Sequence, residues 1–239
     1  MNERAHLFAS VLLDPPGSRT SRQLGKVQVS SLLRTLFPGE VVIWRNFPEP
    51  LYMMERKGVH EVDFIPDRPV EADGLKDLTR VAKCQMARSL VDHASRYEWV
   101  ILADAGVMAL RNWDHLFERS EAEVLVTRSR EGKIDPGLIA IRSEVFEKFV
   151  LKWEAVTGSG RGQDELALVL QSDGFEVREF ERGEVVRALD DGVGFREVMK
   201  AAVVVLDGMP TEMTEAAFAL HMMKTFGDKD GLFLELLES

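Results

Sequence analysis

The apolar residues of this chain change period repeatedly, and that alternation constrains the fold more than any other feature. Short continuous or β-branched runs read as strands, whereas stripes recurring at helical spacing read as helices. "HLFASVLL" (6–13) is a compact apolar strand broken by "DPPGS". "SRQLGKVQVSSLLRTLF" (21–37) sets Leu24, Val27, Leu32, Leu33 and Leu36 at helical spacing, and "VVIW" (41–44) is a β-branched strand. A short helix is expected at 50–58, a strand at 61–65 and a strong helix at 74–97. In that last helix Leu75, Leu78, Val81, Ala82, Met86 and Leu90 form one apolar stripe. Apolar runs at Trp99–Leu102 and Val107–Leu110 follow, then strands at 123–127 and 137–142. A helix at 143–156 has Ser143 as its N-cap, and "QDELALVLQSDG" is a second helix ended by glycine. The strands "EVREF" and "AAVVVLDG" (201–208), the segment "AAFALHMMK" (216–224) and a short terminal helix complete the pattern. Strands alternating with helices predict an α/β layered sheet with helices on both faces. With no fixed-period repeat, low-complexity segment or linker, one domain over 1–239 is expected.

Composition narrows the function classes. A net charge of -10 argues against a broad basic surface for nucleic acid, but leaves room for a local patch that holds a small anion. No apolar run approaches the length of a membrane span, and the opening segment reads as a first core strand rather than a signal peptide. The lone Cys84 excludes an internal disulfide and a cysteine metal cluster, so cytoplasmic residence is the default expectation.

The chemistry concentrates in "RYEWVILADAGVMALRNWDHLF" (96–117). In open α/β sheets ligands bind beyond the carboxyl ends of the strands, so Asp104, closing an apolar strand, is placed for function; a turn or cap is the plainer role for an aspartate there. The whole segment resembles the core of nucleotide-sugar glycosyltransferases of the GT-A fold, especially glycogenin-like and galactinol-synthase-like enzymes. There an apolar strand runs into Asp-Ala-Asp and returns through an apolar strand and "L-R-N-x-D-x-L-F"; here Tyr97, Asp104-Ala105-Gly106, Leu110-Arg111-Asn112, Asp114, Leu116 and Phe117 follow that layout. "DPGLIAIRSEVFEKFVLKW", "GRGQDELALVL" and "ALHMMKTFGDK" are similar, less tightly, to later family segments.

The resemblance implies a three-layer αβα sandwich with a mixed, mostly parallel sheet, and transfer of a hexose from a nucleotide-diphosphate sugar, a UDP-sugar being favoured. The acceptor is a glycan, a protein or a small molecule, and glycogenin-like stereochemistry would be retaining. It implies Mn²⁺ or Mg²⁺ held by Asp104 and His221, opposing the charge of the leaving diphosphate. Gly106 departs from the pattern by replacing the second aspartate: water fills the gap and metal binds weakly, or basic groups replace the metal, or catalysis is lost. Asp104 and Ala105 are nucleotide-sugar contacts by carry-over, Lys224 and Lys229 are interchangeable candidates for the diphosphate, and Gln163 and Asp164 face the transferred sugar. Asp164 as a helix cap and His221 as a core histidine are the plainer readings. Asp135, in "DPG", contacts the sugar or shapes a turn. Lys76, Arg80 and Lys83 lie at i, i+4 and i+7, a basic face that solvent ordinarily takes; Lys83 is the one chosen for the nucleotide site. Arg19 and Arg22, after the first strand, are weak phosphate candidates. Two rivals stand beside transfer: a degenerate nucleotide- or glycan-binding module, favoured by Gly106, and a nucleotidyltransferase, for which "DPPGSRTSRQLGK" lacks a convincing glycine-rich basic loop.

Overall fold

The structure, a computed structural model, describes residues 6–52, 56–71, 74–109, 112–113, 117, 120–128, 132–157, 165–171, 174–180, 185–187 and 219–221. In chain order its elements are β1 (His6–Leu12), α1 (Thr20–Arg34), β2 (Gly39–Arg45), β3 (Val59–Asp63), α2 (Leu75–Ala94), β4 (Trp99–Asp104) and β5 (Val107–Ala109). There follow β6 (Val124–Arg128), β7 (Ile134–Arg142), α3 (Ser143–Val156), α4 (Glu165–Gln171), β8 (Val177–Glu179), β9 (Val185–Arg187) and β10 (Ala219–His221). The strand predicted at 201–208 and the terminal helix lie outside the described residues.

Seven strands form one sheet in the order β3-β2-β1-β4-β7-β6-β8, and β5, β10 and β9 form a smaller one. Strands β3, β2, β1 and β4 run parallel; β7 is antiparallel to both neighbours, and β8 is parallel to β6. The fold is α/β with a mixed, mostly parallel sheet. Residues Trp99 to Ala103 of β4 are each 0% exposed, which accounts for a run without any polar face: both sides of the central strand are covered.

Alternation along the strands divides the interior in two. Leu7, Ala9, Val11 and Leu102 face a core built with Leu78, Met86 and Leu90 of α2, Phe146, Phe149 and Trp153 of α3 and Leu166 and Val169 of α4. Phe8, Leu12, Ile101 and Ala103 face the other core, with Val29 and Leu32 of α1 and the rings of Trp113 and Phe117. Helices therefore lie on both faces. Each fully buried Leu, Phe or Met contributes about 1.5–3 kcal/mol relative to exposure, so the stripe of α2 seats that helix.

Helix α1 departs from the predicted face. Leu33 is 39% exposed, whereas Gln28 and Ser31 are buried; Leu36, predicted to continue the stripe, lies beyond the end of the helix with a φ of 54° and is 77% exposed. Gly25 lets the helix approach β1, since a Cβ there would lie 2.3 Å from a methyl of buried Leu12. At 50–58, predicted helical, the described residues 51–52 are bends and 57–58 a turn. The Leu51 amide donates to the Glu61 carboxylate (2.9 and 3.1 Å), and Gly58 takes a left-handed φ of 77°. Strand β3 accordingly begins two residues earlier than predicted and ends at Asp63.

Candidate functional site

The strand order places a topological switch between β1 and β4, because the chain leaves β1 toward β2 on one side and returns to β4 on the other. Ligand crevices in open α/β sheets form at the carboxyl ends of such strands. Val11 of β1 is in register with Asp104 of β4, and Leu138 of antiparallel β7 with Ala103. The first residues of β7 therefore stand at the same sheet edge as the end of β4.

Asp104 is held from both layers. From α2, the Lys83 ammonium donates to Asp104 Oδ1 and to the Pro136 carbonyl at 2.8 Å. The Lys83 side chain is only 3% exposed, and that of Asp104 is 38% exposed, so the carboxylate reaches the surface while its cation stays beneath it. From α1, the Gln28 side-chain amide donates to the Asp104 carbonyl (2.7 Å) and to the Val107 carbonyl (3.1 Å). Ser31 Oγ donates to the Gln28 carbonyl (2.7 Å) and accepts from the Ala109 amide (3.0 Å). The turn carrying Ala105 and Gly106 is thus clamped by two buried polar residues that the apolar-stripe reading of α1 missed. Their signal was present: polar residues between the apolar positions of a core helix.

The remaining predicted residues distribute as follows. His221 pairs with Val107 through the β10–β5 ladder, bringing its backbone beside the strand that returns from Asp104. Ala105 is partly buried against the α1-side core. Asp135 lies within β7, where the pairing with β6 jumps from Val126↔Ile139 to Thr127↔Asp135. Its Oδ1 accepts from the Gly137 amide (3.0 Å), so it shapes this bulge. Gln163, Asp164, Lys224 and Lys229 lie outside the described residues. On α2, Lys76 is exposed, whereas Arg80 turns inward to pair with Glu165, which is 1% exposed.

The amino end of α1 is filled by the chain itself. Asp14 accepts from the Ser21 (2.7 Å) and Arg22 (3.1 Å) amides, occupying donors that would otherwise bind an anion. The Arg22 guanidinium pairs with Glu49 at 3.1 Å, and Arg19 is exposed. The Ser21 and Arg22 amides are thus already taken, which counts against phosphate binding in the loop after β1, as the nucleotidyltransferase reading needs.

Nearby titratable groups are structural. Burial pushes the Cys84 thiol, next to Lys83 in sequence, up to about 11, which removes thiolate character at neutral pH. Burial lowers His6, at the far end of β1, to about 4. Among the described residues no three His, Cys, Asp or Glu side chains gather into a metal-binding group, and no helix is long and apolar enough to cross a membrane.

No family model matches the chain, and no curated protein matches it. Solved structures share its fold. A glycosyltransferase involved in the glycosylation of the major capsid of PBCV-1 is similar over 98% of both chains, with a TM-score of 0.56 and 9% identity. The bifunctional glycosyltransferase WbbM is similar over 92% of this chain and 46% of its own, with a TM-score of 0.57 and 13% identity. The glycosyltransferase GlyE of Streptococcus pneumoniae TIGR4 is similar over 98% of this chain and 60% of its own, with a TM-score of 0.55 and 15% identity. The chain spans less than two thirds of the latter two.

Proposed function

We propose that the protein transfers a hexose from a nucleotide-diphosphate sugar, with a UDP-sugar favoured, to a hydroxyl acceptor, using a GT-A-type site at the β1–β4 switch. One observation carries this reading: a half-exposed carboxylate, Asp104, at the ligand-binding edge of a glycosyltransferase fold, anchored from beneath by a buried lysine. In the reaction the bond from the anomeric carbon to the diphosphate breaks, and its electron pair leaves on the phosphate oxygen. The acceptor oxygen forms the new glycosidic bond and gives up its proton to the departing diphosphate. Asp104, fixed by Lys83 and Gln28, orients the nucleotide side of the donor; Gln163 and Asp164, just before α4, are assigned to the sugar; Lys224 and Lys229 are the candidate cations for the diphosphate.

The donor set suits a divalent ion that arrives with its substrate. Mg²⁺ characteristically keeps waters and binds through one or two carboxylates plus substrate phosphates, so one outward oxygen of Asp104 suffices as a protein anchor. His221 would add a nitrogen ligand suited to Mn²⁺. When bound, the ion supplies positive charge against the departing diphosphate. Lys83 is the outer partner that orients the ligating carboxylate.

The test is a thermal-shift panel of UDP-, GDP-, ADP- and CMP-sugars with and without Mn²⁺, followed by release of nucleoside diphosphate. A ligand that binds only the folded state raises the apparent stability in step with its affinity. The reading expects a clear shift with one nucleotide sugar, a larger one with Mn²⁺ present, and almost none with Mn²⁺ alone. Silence across the panel overturns it. A shift without release of nucleoside diphosphate favours the second reading, a binding module without turnover, to which Gly106 points.

A further inference from the structure

Helix α2 leads from the carboxyl edge of the sheet down to the start of β4, so its early turns stand nearest the candidate site. Arg80 lies one turn before Lys83, about 4.5 Å closer to that edge along the axis. Its guanidinium pairs with Glu165, the first residue of α4. A second, looser approach to Asp77 at 3.7 Å involves a carboxylate that is 66% exposed. The side chain of Glu165 is 1% exposed, and neither of its carboxylate oxygens receives a hydrogen bond among the described residues. Arg80 is therefore the described group that compensates this buried charge.

Such a pair gives stability little. Withdrawing two ions from water costs about as much as their attraction returns, and apolar residues of similar volume do as well or better. What such a pair adds in some proteins is geometry, since buried charges are satisfied in few placements of the elements that carry them. We propose that Arg80 and Glu165 are a positioning pair that fixes the start of α4 against the α2 turn beside Lys83. Glu165 directly follows, in sequence, Gln163 and Asp164, which the transfer reading assigns to the sugar. The inference rests on the transfer reading for its functional consequence.

The test compares the wild type with R80M, R80K and the double variant R80M/E165L. R80M strands a buried carboxylate, and a drop in Tm of about 10 °C is expected. The double variant removes both charges and regains Tm to within about 4 °C of the wild type. Despite that recovery, its kcat for release of nucleoside diphosphate from the nucleotide sugar falls about tenfold or more, because small misplacements at a reacting centre are costly. Donor KM stays within about twofold, because the interactions that bind nucleotide lie elsewhere. R80K, keeping the charge, recovers part of kcat. Amide exchange of residues 165–171 accelerates in the double variant, while that of α2 and α3 does not. A double variant with restored Tm and wild-type kcat overturns the positioning role, as does unchanged exchange in α4. A wild type that releases no nucleoside diphosphate from any nucleotide sugar overturns the transfer reading instead, and the exchange measurement then decides the pair alone.

Discussion

Replacing Lys83 by Met separates the anchoring of Asp104 from the packing of α2. The methionine keeps most of the buried stem and loses the ammonium. Lost with it are two hydrogen bonds from a charged donor, to Asp104 and to the Pro136 carbonyl, about 1.5–3 kcal/mol each. Against these stands the desolvation of an ammonium that is 3% exposed, a cost of several kcal/mol that methionine avoids. Asp104, 38% exposed, can also exchange its lost partner for water. The balance leaves K83M within about 2 kcal/mol of the wild type, a change in Tm of at most about 4–8 °C. Function responds differently. Without Lys83 the carboxylate turns freely at the sheet edge, and the expected loss in donor affinity or turnover is tenfold or more, which corresponds to about 1.4 kcal/mol. Isothermal titration with the nucleotide sugar identified by the thermal-shift panel measures it. Because Lys83 acts through Asp104, K83M should add almost nothing in a D104N background, giving a coupling energy of about 1–3 kcal/mol. Strictly additive effects, or wild-type affinity in K83M, would refute the anchoring argument.

Three further outcomes are expected. His6 is held neutral in the fold with its pKa lowered from 6.5 to about 4, so folding weakens as pH falls through that window. The difference is worth about 3 kcal/mol, and denaturant melts of wild type and H6F between pH 7 and 4 should show the wild type losing that much more. In G39A the new Cβ would lie 1.9 Å from the His6 carbonyl oxygen in the β1–β2 ladder, at a cost of about 3 kcal/mol in a thermal melt; an unchanged Tm would contradict the register. G106D should raise Mn²⁺ affinity in the presence of the nucleotide sugar about tenfold by supplying a second carboxylate; no gain in titration calorimetry would count against an inherited metal site.

The layering of the fold was legible wherever burial is written in apolar residues. Strand β4 and the stripe of α2 came through because Trp99–Ala103 and Leu78, Ala82, Met86 and Leu90 are inside for the ordinary reason. Misreadings occurred where polar residues are inside. Leu33 and Leu36 completed an apolar stripe on paper, yet α1 turns Gln28 and Ser31 inward because the turn after β4 needs their hydrogen bonds. On the basic face of α2 Lys83 was singled out for the nucleotide site and Arg80 left to solvent; the partners of both, Asp104 and Glu165, are distant in sequence. The "DPG" of residues 135–137, read as a sugar contact or a turn, lies in a strand bulge, which accommodates the same Pro and Gly. Position at the end of an apolar strand and the resemblance of its surroundings singled out Asp104; the residues that grip it, Lys83 and Gln28, lie far off in sequence.

That grip bears on what the site proposed around Asp104 and Gly106 would do. If Asp104 were only a strand terminator, water at the sheet edge could solvate it, and stability would give no reason to bury an ammonium beneath it. A methionine or leucine at position 83 would fill the α2 core as well. The two layers instead spend a buried lysine on its carboxylate and a buried glutamine on its carbonyl, fixing both backbone and side chain of one residue. On the transfer reading this preorganisation serves a ligand on the free side, because an oriented carboxylate saves reorganisation at the moment of binding. The gain should therefore appear as affinity rather than as Tm, which is the split that K83M measures.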